Sequence, residues 1–494
     1  MSVRVRFAPS PTGYVHIGSL RTALYDYLYA QKHAGQYVLR IEDTDRTRLV
    51  DDALDNLLDA MKWSEVLHDE GPVKNEAGEM IQIGDKGPYV QSERLHIYKP
   101  YVEQLVEQGD AYYCFCSKER LDNLREDNKA KGIFSGYDGH CRDKSLEDAK
   151  KRVEAGESYV VRLKLPVDQE VVIDDMVRGK VVMNTSDSDD QVLLKADGYP
   201  TYHMAVIVDD HLMGITHIIR GEEWLPSTPK HIVLYEMFGW DIPKYAHLPN
   251  ILNSEKKKLS KRHGDVSVAD FRAKGYLPEA LVNFLALVGW SPEGDQEIMT
   301  MDEMIEKFSF DRVSKSGGVF DVQKLNWMSN HYIKEADLER LTEMAVPYVV
   351  EAGYLTDDAV DGHKEWLSRI VDLSREYLEY MAQIPKHVEL FMGDEITLED
   401  DEAKAMVEME HVPAMLNVLK AQLDAAEEFD AASVKKAFKA TQKESGIKGK
   451  NLFMCTRVAL TGAVHGPDLM EIISILGREQ AKNRIDFTIN NLCK

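Results

Sequence analysis

Ala8-Pro9-Ser10-Pro11-Thr12-Gly13-Tyr14-Val15-His16-Ile17-Gly18-Ser19 is the stretch that decides how this chain is built. Before it, residues 3–8 have the pattern of a short buried strand. After it, Leu20, Ala23, Leu24, Tyr27 and Leu28 recur at helical spacing, and Gly35 stands where a C-terminal cap belongs. Residues 36–42 then read as a second strand. Strand, loop, helix and strand in that order form a βαβ unit, which predicts a parallel sheet. A loop of this kind suits phosphates, because backbone N–H groups and the positive end of the helix face the anion. Pro9 and Pro11 stiffen the approach. Gly18 lets the backbone come close to a flat base or ribose, and His16 can donate to a phosphate oxygen. The chain has neither G-x-G-x-x-G after the first strand nor G-x-x-x-x-G-K-[ST] anywhere, so a nucleotide held here is not held by a Walker loop.

The 494 residues are 44% hydrophobic and 29% charged, enough for several domains around a sizeable core. The longest apolar run, Ala280 to Trp290, is too short to span a bilayer. Met1-Ser2-Val3-Arg4 lacks the apolar core of a secretion signal, so a cytoplasmic address is expected. A formal net charge of −24 argues against non-specific nucleic-acid binding by the whole surface, yet leaves room for a local basic patch. Five cysteines, an odd and sparse set, argue against a disulfide framework.

Along the chain, residues 51–63 read as a helix and residues 69–89, rich in Gly and Asp, as an inserted surface loop. A segment of different character, holding three of the cysteines and short strands such as 159–165, runs from about Tyr98 to Leu194. Sheet character resumes at 201–209 and 216–220, so an insertion splits the first sheet. Next comes the basic run Lys257-Lys258-Leu259-Ser260-Lys261-Arg262, with Gly264 just after. Mobile lysines of this kind suit chemistry at an α-phosphate, where cations must follow the charge building on departing pyrophosphate. Beyond about residue 333 the pattern is almost wholly helical.

The combination resembles the bacterial-type glutamyl-tRNA synthetases, a class I family. Residues 5–13, then His16-Ile17-Gly18, then Arg40-Ile41-Glu42-Asp43-Thr44-Asp45 carry the resemblance. His16 to Ser19 is similar to the "HIGH" element, and Lys258 to Arg262 to the "KMSKS" element in a Lys-Leu-Ser-Lys-Arg form. Further similar segments follow in order: Asp197 to His203, Asp209-Asp210-His211, Ile219 to Trp224, and Arg457 to Gly462. The resemblance implies a Rossmann-like α/β catalytic domain split by an acceptor-binding insertion and followed by an all-α anticodon-binding region. The implied boundaries are 1–97 and 201–255 for the two catalytic halves, 98–200 for the insertion, 256–336 for the KMSKS loop and stem-contact region, and 337–494 for the helical domain.

It also implies an activity, in which glutamate and ATP give glutamyl-adenylate and the glutamyl group passes to the 3′ adenosine of tRNA(Glu). The family's pattern assigns the substrate glutamate to Arg6, Ala8, Ser10, Glu42, Tyr202 and Arg220. Guanidinium groups suit that task, since they pair bidentately with a carboxylate and gain nothing comparable from an amide. ATP falls to Thr12, His16, Gly18, Trp224, Lys258, Ser260 and Lys261, of which His16, Gly18, Lys258 and Lys261 are expected to act in catalysis. Mg²⁺ is expected to come with the ATP phosphates rather than in a protein cage. A monomer with no membrane partner is the family default. Cys455 and Cys493 lie far from these motifs and read as packed thiols.

Cys114-Phe115-Cys116 and Cys141 form C-x-C-x24-C, a spacing that suits structural zinc. For the fourth ligand His140 is the chemically usual choice, whereas the resemblance points to Tyr137. Lys261→Ala is expected to depress adenylate formation much more than ATP affinity. Equal losses in both, measured by pre-steady-state kinetics, would instead mark uniform binding.

Overall fold

The computed structural model describes residues 2–45, 49–132, 136–260 and 264–493. The chain divides into two compact units, Met1–Ala273 with Pro278–Leu325, and Lys274–Leu277 with Asn326–Lys494.

In the first unit, the strand Arg4–Phe7 is buried at all four positions. It pairs in parallel with Gln36–Leu39, from Arg4 opposite Gln36 to Phe7 opposite Leu39. The helix Ile17–Lys32 makes the crossover, so the βαβ reading holds. On the other side of the first strand, Thr216 N donates to Arg4 O at 2.9 Å and leads into the strand His217–Gly221. That strand pairs in parallel with Lys244–Leu248. Tyr245 in turn adjoins Asp175, the last residue of the strand Glu170–Asp175, which forms an antiparallel pair with Gly179–Asn184. A separate antiparallel sheet of Ala111–Cys114, Val160–Leu163 and Val192–Leu194 lies between the two halves in sequence. Its Val161, Leu163 and Leu193 share one core with Val206, Ile218 and Tyr245.

Three local readings change. Residues 201–209 are not sheet: Tyr202–Leu212 is a helix. Met204 to Asp210 are buried without a break, so no polar face reveals the helical period, and Val206-Ile207-Val208 imitates a strand. Residues 69–89 are not a plain loop, because Gly71–Lys74 and Met80–Ile83 form a hairpin. Four mostly exposed residues in its second strand leave no alternation to read. Gly35 is not the left-handed cap; Ala34 takes the positive φ, at 46°. Gly35 is needed because a Cβ there would sit 2.3 Å from Val3 O, where the helix exit passes the first strand.

A web of buried charge ties the sheet to the helix Tyr202–Leu212. Asp210 Oδ1 accepts from Arg6 Nε at 3.1 Å and from Arg40 Nη1 at 2.7 Å. Asp209 accepts from Arg94 Nε at 2.7 Å, Gln91 Nε2 at 2.9 Å and the Tyr98 hydroxyl at 2.9 Å. Burial opposes the charge of Asp210, yet Arg6 and Arg40 outweigh it and hold the carboxyl below its ordinary value. Such a web contributes little net energy over an apolar core, but losing one member leaves an uncompensated charge.

In the second unit the regular structure among the described residues beyond Asn326 is helical throughout, from Leu338–Glu351 to Leu469–Asn491. Cys455 is fully buried in its core, with Leu416, Leu460 and Ile485, and Cys493 packs against the same cluster. No helix among the described residues is long and apolar enough to cross a membrane.

At the sheet edge, Glu70 accepts from Arg4 Nη1 at 2.7 Å, Arg4 Nη2 at 2.6 Å and the Tyr89 hydroxyl at 2.5 Å. The Arg4 hydrogen bonds hold its carboxyl below the ordinary glutamate value. A folded value below the unfolded one stabilises at pH above the glutamate range, and that stabilisation is lost as pH falls through the folded value. Glu70→Gln is therefore expected to lower the thermal midpoint at neutral pH, with the gap to the parent closing in acid. A gap that stays constant from pH 7 to about pH 3 would contradict this.

Candidate active site

The carboxyl ends of the parallel strands open into a cavity of about 1070 Å³. Open α/β sheets bind ligands at this edge. Arg6 enters from the first strand, and Ala8, Ser10 and Thr12 from the loop after it. His16 and Gly18 stand at the mouth of the helix Ile17–Lys32. Glu42 comes just past the second strand, Tyr202 from the start of the helix that replaces the expected strand, and Arg220 from the strand His217–Gly221. Trp224, Lys258 and Ser260 also line the cavity. Thus every residue singled out for glutamate or ATP lies on one cavity wall, apart from Lys261, which is outside the described residues.

His16 is the N-cap of its helix, and its Nδ1 accepts from Gly18 N at 3.0 Å. With Nδ1 an acceptor, the neutral ring carries its proton on Nε2. A Cβ on Gly18 would sit 3.2 Å from His16 Nδ1, a tight approach, so glycine gives the imidazole room to seat there. Trp224 is not a core residue; it is 37% exposed and lies against Tyr202, with ring centroids 4.3 Å apart.

The two arginines differ in their surroundings. Arg6 is compensated by Asp210 at 3.1 Å. Arg220 is 5% exposed, and all its hydrogen bonds among the described residues go to neutral acceptors. Two of these acceptors, the Tyr202 hydroxyl at 3.3 Å and Trp224 O at 3.4 Å, belong to cavity-lining residues. A buried guanidinium without a counter-charge is costly, and an anion entering the cavity would relieve it. Glu42 is also buried, with Arg40 Nη2 donating to it at 3.0 Å. Burial raises its carboxyl above the ordinary value, against the pull of Arg40 and Arg6. The wall therefore offers fixed positive charge at one place and a carboxylate ready for a cation at another.

Some lining residues were assigned no role from the sequence. Arg21, Gln91, Lys195 and Asn250 line the cavity as well. Arg21 could have been found, since it follows Gly18 by three residues and shares its helix face. It is fixed by Val288 O at 3.0 Å and by Pro249 O.

Comparisons with known proteins show the family. The family model "tRNA synthetases class I (E and Q), catalytic domain" matches residues 2–327, and "Anticodon binding domain" matches residues 340–489. The glutamate–tRNA ligase of Alkaliphilus metalliredigens is 57% identical over 491 residues, 99% of each chain. This chain belongs to the glutamate–tRNA ligase family. The ligase of Clostridioides difficile is 53% identical over the full length of both chains. The crystal structure of the glutamate–tRNA ligase of Elizabethkingia meningosepticum, in complex with its amino acid, superposes with a TM-score of 0.88 at 36% identity and covers 100% of both chains. Membership of this family places the cavity in a class I synthetase catalytic domain, with a helical anticodon-binding domain after it.

In the segment that carries the separate antiparallel sheet, the Sγ atoms of Cys114, Cys116 and Cys141 lie within 4.8 Å of one another. The Tyr137 hydroxyl is 3.3 Å from Cys114 Sγ and 3.6 Å from Cys116 Sγ, and His140 is exposed. Arg162 covers the Tyr137 ring, its Cζ 3.8 Å from the centroid. Three thiols and a phenol oxygen at these separations fit a small tetrahedral cation.

The seating of His16 is testable by ¹⁵N NMR of histidine-labelled protein. His16 is expected to show the Nε2–H tautomer, and Gly18→Ala to weaken that preference by displacing the ring. An Nδ1–H signal in the parent would overturn the assignment.

Proposed function

We propose that the cavity activates L-glutamate with ATP and that the enzyme passes the glutamyl group to tRNA(Glu). The observation that carries this reading is Arg220, buried in the cavity wall with only neutral hydrogen-bond partners among the described residues, beside an Arg6 that is already compensated. A glutamate side chain supplies the missing negative charge, whereas glutamine would leave the guanidinium without a counter-ion. Arg6, Ala8, Ser10 and Tyr202 complete the side-chain pocket, and Glu42 pairs with the substrate ammonium group.

In the first step an α-carboxylate oxygen of glutamate attacks the α-phosphorus of ATP. The new P–O bond replaces the bond to pyrophosphate, which leaves. In the second step a ribose hydroxyl of the terminal adenosine attacks the activated carbonyl carbon; AMP leaves and the hydroxyl proton is lost to solvent or to AMP. Neither step calls for an enzyme nucleophile, so positioning and charge stabilisation provide the acceleration. His16 donates from Nε2 to a phosphate oxygen, Thr12 and Gly18 border the triphosphate, and Trp224 flanks the nucleotide. Lys258, Ser260 and Lys261 follow the charge onto pyrophosphate. Mg²⁺ comes in with the triphosphate, as in class I synthetases generally.

Residues 1–97 and 201–255 act as the two catalytic halves, 98–200 as the acceptor-end insertion, 256–336 as the KMSKS and stem-contact region, and 337–494 as the anticodon-binding domain. In the insertion, Cys114, Cys116, Cys141 and Tyr137 would hold a structural zinc that pins the turn at 114–116 to the loop at 137–141. The enzyme works as a monomer in the cytoplasm.

The test is charging of tRNA(Glu) by purified protein with ATP, Mg²⁺ and each amino acid in turn. Glutamate alone is expected to be attached, with pyrophosphate exchange dependent on added tRNA. Attachment of another amino acid, or none, would refute the reading. Metal analysis of the same preparation is expected to find about one zinc per chain, falling toward zero in Cys141→Ala. Well under one zinc in the parent would remove the metal.

A further inference from the structure

Behind Arg220 lies a second layer of side chains that does not touch the cavity. Arg220 Nε donates to His247 Nε2 at 3.1 Å, and His247 Nδ1 lies 2.6 Å from Asp175 Oδ2. On the other flank, Arg220 Nη1 lies 3.3 Å from His231 Nδ1, and His231 Nε2 lies 3.0 Å from His203 Nδ1. His247 is 0% exposed and His231 1%. We propose that the Asp175–His247 pair is a specificity-determining positioning device, which aims the Arg220 guanidinium at the acidic side chain of the substrate by locking His247 in the tautomer that can accept from it. This rests on the proposed role of Arg220 in glutamate binding.

The argument is one of donor and acceptor count. A guanidinium has donors only, so each ring nitrogen facing it must be a bare acceptor. For His247 that requires the proton on Nδ1, where the Asp175 carboxylate accepts it. Asp175 is in turn fixed by backbone N–H groups, Val177 N at 2.9 Å and Arg178 N at 2.8 Å on Oδ1 and His247 N at 3.1 Å on Oδ2. His231 meets the same requirement by donating from Nε2 to His203. Burial and the nearby Arg220 favour the neutral rings, with His203 pushed down to about 4 by burial and by Lys230 and Arg220. Arg220 therefore keeps its full charge for the cavity. A carboxylate in direct contact would have cancelled that charge, whereas an imidazole placed between Asp175 and Arg220 transmits orientation and only part of the attraction.

Asp175→Asn exposes the difference. With the amide oxygen kept by Val177 N and Arg178 N, the amide NH₂ faces His247 Nδ1. The ring proton then moves to Nε2, where it opposes the N–H of Arg220. In full-length enzyme the KM for glutamate is expected to rise at least about tenfold with the KM for ATP little changed, while the thermal midpoint falls because the amide NH₂ also meets His247 N–H. His247 ¹⁵N shifts are expected to switch from Nδ1–H to Nε2–H. His247→Gln, which can present an amide oxygen to Arg220 whatever stands at 175, is expected to hold the glutamate KM within about threefold of the parent, and Asp175→Asn on that background to add little. Equal rises in both KM values, an unchanged tautomer, or full additivity of the two substitutions would overturn the proposal. The tautomer measurement needs no turnover, so it separates failure of this inference from failure of the functional reading. Should Asp175→Asn not fold, the His247 tautomer in the parent decides: Nε2–H there would refute the device.

Discussion

The parallel pairing of Arg4–Phe7 with Gln36–Leu39, and the strand His217–Gly221 on the far side, bring the ends of three segments to one edge of a sheet. At that edge the chain must leave the hydrogen-bonded ladder, and the departing loops open the cavity. The constraint also concentrates charge. Arg6, Arg40 and Arg220 all sit beside strand ends, and burial makes each of them depend on a partner. Asp210 satisfies two of the three. The third is left to neutral dipoles and to the ligand. On the proposed reading, selectivity for an acid follows from how the protein divides one shared carboxylate among its arginines.

Much of this was readable from sequence, for a physical reason. The βαβ unit announces itself through local periodicity, and the residues that line the cavity sit in short ordered motifs around it. The loop Ala8–Gly18 and the run Lys258-Leu259-Ser260 lie far apart in sequence, yet both border the same space. The helical tail was legible from its repeated apolar stripes, such as Met415, Leu416, Leu419 and Leu423.

What stayed hidden depends on burial or on long-range partners. The helix Tyr202–Leu212 looked like a strand because packing on every side erases the polar face that sets the helical period. Gly35 looked like a cap, although its requirement comes from Val3, on a neighbouring segment. Asp175 and His247 carry no local motif, and their link appears only when two strands adjoin at Asp175 and Tyr245. At the cysteine cluster the sequence left a choice between two nearby residues; the fold turns Tyr137 toward the thiols and leaves His140 exposed.

The shared carboxylate of Asp210 has a consequence for biosynthesis. Arg6 and Arg40 are made early on the ribosome, while their counter-charge is encoded only after the entire antiparallel sheet of Ala111–Leu194. Until that sheet has emerged, Arg6 lacks the carboxylate it pairs with, and Arg40 has only Glu42. The buried charge pairing of the amino-terminal βαβ unit is therefore complete only once Asp210 has left the exit tunnel.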